Sequence, residues 1–129
     1  MATVDRDLSA RLADTAAAGA IFELIDADVR AVLAEAEPGE AVVKVGARDR
    51  ISVGRSGSRL GDEVIHYWLE DGTVYRQAQG ESPRVIVGDV ASFACELDDF
   101  GSWLFVQIET SRMGGTSREC LRVKREVVP

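Results

Sequence analysis

The spacing of apolar residues divides the chain near Pro38-Gly39. Before that point Leu8, Leu12, Ala16, Ile21, Ile25, Val29, Val32, Leu33 and Ala36 recur mostly at three- and four-residue intervals. That period places them along one stripe of a helix. Alanine, the best helix former, dominates the middle of the stretch, and no proline interrupts it. Thr3 or Asp5 supplies a cap at the start, and Pro38 with Gly39 supplies a stop, so one helix is predicted within residues 1–37. About 30 helical residues at a rise of ~1.5 Å each give a rod of roughly 45 Å. A compact domain of this chain length has a radius of gyration of about 14 Å. One end of such a rod must protrude or find cover on another molecule.

After Gly39 the period falls to two, and Val, Ile, Tyr and Trp take over, as strands require. The alternation predicts strands over Ala41–Val45, Ile51–Val53, Glu63–Leu69, Thr73–Gln77, Arg84–Val87, Val90–Leu97, Trp103–Thr110 and Cys120–Val127. Asp71-Gly72 between two such runs is a type I′ turn signal, and it sets Leu69 opposite Val74 and Trp68 opposite Tyr75. Ile65, Tyr67 and Leu69 then share a core-facing side. The loops Gly54–Asp62, Gln79–Pro83 and Arg112–Ser117, rich in Gly, Ser and Arg, read as mobile. Short connections make the sheet antiparallel. The expected architecture is α+β over a single domain, residues 1–129, with a helix in 1–37 packed on a β-region over 40–129.

Charge adds an asymmetry. The chain carries 22 acidic and 15 basic residues, a formal charge of -7. Residues 1–40 hold nine acids (Asp5, Asp7, Asp14, Glu23, Asp26, Asp28, Glu35, Glu37 and Glu40) against Arg6, Arg11 and Arg30, six of those seven net charges. An acidic surplus argues against a phosphate-binding platform. The helix face reads either as plainly solvated or as an electrostatic partner surface. No run of about 18 apolar residues is present to span a bilayer. Met1 is followed by the charged run Asp5, Arg6, Asp7 instead of a secretory signal, and as written the chain reads as soluble.

The search for reactive groups is short. His66 is the only histidine, falls mid-strand, and has no G-x-S-x-G elbow to serve. Gly54-Arg55-Ser56-Gly57 lacks the Lys-Ser/Thr pair of a P-loop. Glu96, Asp98, Asp99 and Glu109 are hard oxygen donors without EF-hand spacing and read as turn carboxylates. Lys44, Arg48, Arg50, Arg55 and Arg59 form a basic stretch with no aromatics for base stacking. Trp103 and Phe105 share the face opposite Leu104 and Val106, which reads either as an apolar surface-contact site or as an edge under a loop. Cys95 and Cys120 are too few for zinc unless His66 and a carboxylate join them. Two readings stay open: unlinked buried thiols, or a disulfide closing a loop of about 25 residues, which stabilises by about 3 kcal/mol and places the protein outside the cytosol. No catalytic, cofactor or metal residues emerge, and the expectation is a non-enzyme.

The order of segments carries a resemblance. Phe22-Glu23-Leu24-Ile25-Asp26-Ala27-Asp28-Val29-Arg30 resembles the end of the N-terminal helix in type IV pilin-like proteins and type II secretion pseudopilins, with its Asp-x-Arg ending. Glu63 to Arg76 looks like the minor-pseudopilin hairpin, ending Val-Tyr-Arg; Arg84 to Phe93 is similar to the strand, Gly-Asp break and Val-x-x-Phe that follow it. Trp103–Thr110, a Gly-rich loop and a last strand ending Val123-Lys124-Arg125 complete the likeness, which covers about residues 10–128 in short, degenerate pieces. The family's processed, apolar N-terminal helix half with its Glu does not occur in this sequence.

What the resemblance implies is a pilin-like fold and a minor pilin or pseudopilin of a type IV pilus, type II secretion or DNA-uptake filament. Its partners would be other pilin subunits, and its place the periplasm or cell surface. Before assembly it would be anchored in the inner membrane by an N-terminal helix outside this sequence. Leu8, Leu12, Ala16, Ile21 and Ile25 become filament-interface candidates, and Cys95–Cys120 is similar to the disulfide that ties the C-terminal loop of many pilins. Nucleic acid enters only through a DNA-uptake system. The rival expectation is a cytosolic α+β module that holds a small apolar ligand or peptide at Trp103 and the sheet face, with free thiols and a ligand-sized cavity.

Overall fold

The computed structural model describes residues 2–47, 49–55, 64–110 and 115–127, with side chains from residue 17 onward. One helix, α1 (Ala2–Leu33), precedes eight strands. These are β1 (Val43–Ala47), β2 (Arg50–Val53), β3 (Ile65–Glu70), β4 (Thr73–Ala78), β5 (Arg84–Val87), β6 (Val90–Leu97), β7 (Trp103–Thr110) and β8 (Thr116–Arg122). Of the residues described in full, 51% are strand and 17% helix.

This overturns the expected α+β, pilin-like architecture of a long helix packed on an antiparallel sheet. The protein is mostly antiparallel β-structure, and its strands form two sheets instead of one. A five-stranded sheet runs β1-β2-β3-β4-β5 and a three-stranded sheet runs β6-β7-β8. The physical reason lies at Gly88-Asp89, where Asp89 adopts φ 58° and turns the chain between β5 and β6. β6 therefore never pairs with β5; it lies against β1 and β3 of the other sheet. Alternation along a strand reveals which side is buried, and it is silent on which sheet the strand joins.

The hairpin follows its turn chemistry. Asp71 and Gly72 have φ of 50° and 76°, and β3 pairs with β4 with Leu69 opposite Val74 and Trp68 opposite Tyr75. The two rings of that pair stack with centroids 5.6 Å apart. Backbone hydrogen bonds also join the two sheets. After β8 the chain leaves β7 and pairs with the segment before β1, through Val42 N–H to Val123 O and Arg125 N–H to Glu40 O, each 2.9 Å.

One core lies between these layers. Ala18, Ile21, Ile25 and Val29 of α1 meet Ile51, Val53, Tyr67 and Val74 of the first sheet and Phe93, Leu104, Val106 and Ile108 of the second. Burying each large aliphatic side chain in this set contributes about 1.5–3 kcal/mol. The helix is tightened at its end by three-residue bonds, Glu35 N–H to Val32 O and Ala36 N–H to Leu33 O, so its last turn falls before residue 37.

Candidate functional site

Polar chemistry concentrates where α1 crosses the β3–β4 hairpin. The buried stripe Ile21, Ile25 and Val29 places Asp28 on its flank, seven residues after Ile21. On the hairpin, the register sets Arg76 directly opposite Tyr67, whose ring is fully buried. Arg76 donates twice to Asp28, from Nε to Oδ2 at 2.9 Å and from Nη2 to Oδ1 at 3.0 Å. The Tyr67 hydroxyl donates to the same Asp28 Oδ2. The Arg76 and Asp28 side chains are only 19% and 14% exposed, so the fork is shielded from water on most sides.

Burial pushes the Tyr67 hydroxyl up, and the Asp28 carboxylate beside it pushes it further. Its hydrogen bond to Asp28 raises the Arg76 guanidinium. Both shifts keep the phenol and the guanidinium protonated as donors. A bidentate fork fixes direction as well as distance. The arrangement therefore clamps the helix to the hairpin.

A second feature is the outward face of the three-stranded sheet. Trp103 and Phe105 stand there 39% and 48% exposed, with the Arg122 guanidinium 5.7 Å from the Trp103 ring centre. This is the placement expected for the two surface-contact candidates. A cavity of about 280 Å³ lies beside Phe105, lined also by Ala94, Glu96, Gln107, Arg118 and Cys120.

The cysteines are both free, Cys95 buried and Cys120 exposed. Cys95 stands opposite Val106 and Cys120 opposite Phe105, neighbouring residues of β7 that point to opposite faces. Two strand spacings, about 9–10 Å, also separate β6 from β8. A disulfide needs Cα atoms within about 7 Å. The Cys95–Cys120 bond implied by the resemblance is thus not made. Burial pushes the Cys95 thiol up to about 12.

The remaining candidates fall apart in space. Ile21 and Ile25 are buried in this chain's own core at 0% exposure, which leaves neither of them free as a filament interface. The side chains of Leu8, Leu12 and Ala16 lie outside the described residues. His66 is exposed, with Nδ1 2.9 Å from Ser52 Oγ. Asp98 Oδ1 accepts the amides of Ser102 and Trp103 at 2.6 and 3.0 Å, closing the β6–β7 turn. Among the described residues no group of His, Cys, Asp and Glu is placed to hold a metal ion. In the basic stretch, Arg50 lies over Trp68 at 5.5 Å and Arg55 pairs with Glu40 at 3.1 Å, while Arg48 and Arg59 lie outside the described residues. Among the described residues no helix is long and apolar enough to cross a membrane.

Sequence reasoning missed the clamp, although a signal was available. The hairpin register places a cation opposite a core-facing tyrosine, and a cation on the core side demands an anion. In the sequence Asp28 is one acid among nine on a helix that reads as solvated or as a partner surface, and nothing along the helix singles it out. Compared with known proteins, the chain matches no family model, no curated protein and no solved structure.

Proposed function

We propose that the protein is a non-enzymatic structural subunit, a minor pilin or pseudopilin of a type IV pilus, type II secretion or DNA-uptake filament. It works at the periplasmic side or cell surface, with other pilin subunits as its partners. The observation that carries this reading is the Asp28–Arg76–Tyr67 clamp. Two of the segments that carry the resemblance, residues 22–30 of α1 and the β3–β4 hairpin with Tyr75-Arg76, meet there through a bidentate ion pair. A subunit loaded along its helix needs that helix fixed rigidly to the body that faces outward, and a directional, shielded fork provides the fixing. Ile21, Ile25 and Val29 are already used by the chain's own core, so contacts between subunits fall to the earlier apolar residues of α1, Leu8, Leu12 and Ala16.

Deletion of the gene in the native host tests the reading. Loss of piliation, type II secretion or DNA uptake is expected, restored by the wild-type gene and not by one carrying Leu8→Glu and Leu12→Glu. A deletion strain that keeps all three activities overturns it.

A second reading has a specific observation in its favour. Two free thiols and a cavity beside Phe105 support a cytosolic module that binds a small apolar ligand or peptide at Trp103 and the sheet face. Phe105→Ala would abolish ligand capture under that reading and leave filament assembly untouched.

A further inference from the structure

Two sheets have four edge strands, β1, β5, β6 and β8. The segment before β1 bonds to residues 123–125, and β6 is drawn against the first sheet, with Val90 N–H donating to Gly72 O at 2.9 Å. β5 and β8 make no backbone hydrogen bond beyond β4 and β7 among the described residues, though α1 packs against both. The bonds Val123 N–H to Ser102 O and Thr110 N–H to Gly115 O fix the alternation along β8. Odd-numbered residues face β7, so the amides and carbonyls of Thr116, Arg118, Cys120 and Arg122 point off the sheet. Beside this edge, α1 and β8 form a groove of about 490 Å³, in which Phe22, Leu33 and Leu121 supply apolar surface. Glu23 and Glu119 stand on its two walls, both exposed and neither held in an ion pair among the described residues.

The groove is also lined by Arg30 and Arg122, but these pair with Asp26 and Glu126, so Glu23 and Glu119 are the lining charges left without an ion pair among the described residues. A row of outward backbone donors and acceptors beside apolar surface and two such carboxylates fits one kind of occupant: an extended strand with an apolar side chain and a cation. The molecule owns such a strand. β5 reads Arg84-Val85-Ile86-Val87, Val85 is 65% exposed, and Arg84 is exposed with no ion pair among the described residues. We propose that β8 of one copy takes up β5 of a second copy as an added strand, Arg84 lying toward Glu119 and Glu23. This deepens the assembly reading above, on which it rests, by naming a contact between subunits. Because donor and acceptor edges differ, the contact is heterologous and leaves a free edge at each end, so copies add into an open chain. A closed β8–β8 pair centred on Cys120 would instead set Arg118 opposite Arg122, like charges directly across the ladder.

The test uses the full chain. In Val85→Cys, exposed cysteines stand on both edges, and a short bismaleimide should yield a ladder of multimers joined 85 to 120, identified by mass spectrometry of the linked peptides. Sedimentation velocity of the wild type should show association that Val85→Lys, an exposed edge lysine, weakens at least about tenfold. Only 120–120 or only 85–85 dimers would overturn the proposal, as would a wild type that stays monomeric at every concentration. The helix variant Leu8→Glu with Leu12→Glu separates the two ideas. Association lost there and unchanged in Val85→Lys sinks the edge contact while leaving helix-mediated assembly standing.

Discussion

Replacing Asp28 with alanine removes the acceptor shared by Arg76 and Tyr67 and leaves both donors in a mostly buried place. Two guanidinium bonds of 2.9 and 3.0 Å and the phenol bond are lost together. Removing one partner of a buried pair costs about 3–5 kcal/mol, because the other charge is left uncompensated. Side-chain exposures of 19% and 14% admit some water to the abandoned guanidinium. The lower end of that range, about 3 kcal/mol, therefore applies. Asp28→Asn keeps the shape and an acceptor while losing the charge, and should cost about 2 kcal/mol. Urea unfolding followed by tryptophan fluorescence reads both. With a slope of about 2 kcal/mol per molar urea, the alanine midpoint should fall by about 1.5 M. The triple variant Asp28→Leu, Tyr67→Phe, Arg76→Met removes every member of the cluster at once and should return to within about 1 kcal/mol of wild type. An alanine variant within about 0.5 kcal/mol of wild type would refute the clamp, because surface substitutions do no more than that.

Other outcomes follow from the same geometry. An aromatic disulfide reagent at mild pH should titrate one thiol quickly in the native protein, Cys120, and two after denaturation; no reactive thiol in either state would mean that the two are bonded. The folded Cys95 thiol is raised from an ordinary 9.0 to about 12, so its contribution is complete below pH 9 and is lost as pH climbs toward 12. Stability should decline over that window, and Cys95→Val should flatten the decline. Ile25→Ala empties a fully buried site and should cost about 2–5 kcal/mol by calorimetry. Gly72→Ala meets no backbone closer than Val90 O at 3.7 Å, yet must hold φ 76°, so a loss of about 1–2 kcal/mol is expected from strain alone.

Much of the local structure was legible because local rules settle it. The limits of β5, β6 and β7 are those that alternation predicts, and Asp71-Gly72 fixed the hairpin register. β8 was displaced because Thr116, Ser117, Arg118 and Glu119 form an exposed polar edge, which carries no apolar period to read. The strand expected to run on through residues 123–127 stops at Arg122; residues 123–125 make only an isolated bridge and backbone bonds to the segment before β1. The division into two sheets was invisible, since it turns on a positive φ at Asp89, a non-glycine residue with no obligation to adopt it. The outward Trp103 and Phe105 were readable from parity, and so was the opposed facing of Cys120. Asp28 joins residues 39 and 48 positions away, a distance over which spacing along one helix says nothing.

The assembly reading divides α1 into a part spent on its own core and a part offered to neighbours, and cysteine cross-linking in the native host tests that division. In a Cys120→Ser background, Leu12→Cys should give subunit-to-subunit cross-links in intact cells, whereas Ile25→Cys, at a core position 0% exposed, should give none. Cross-linking through position 25, or none through position 12 in cells that still assemble filaments, would contradict the account.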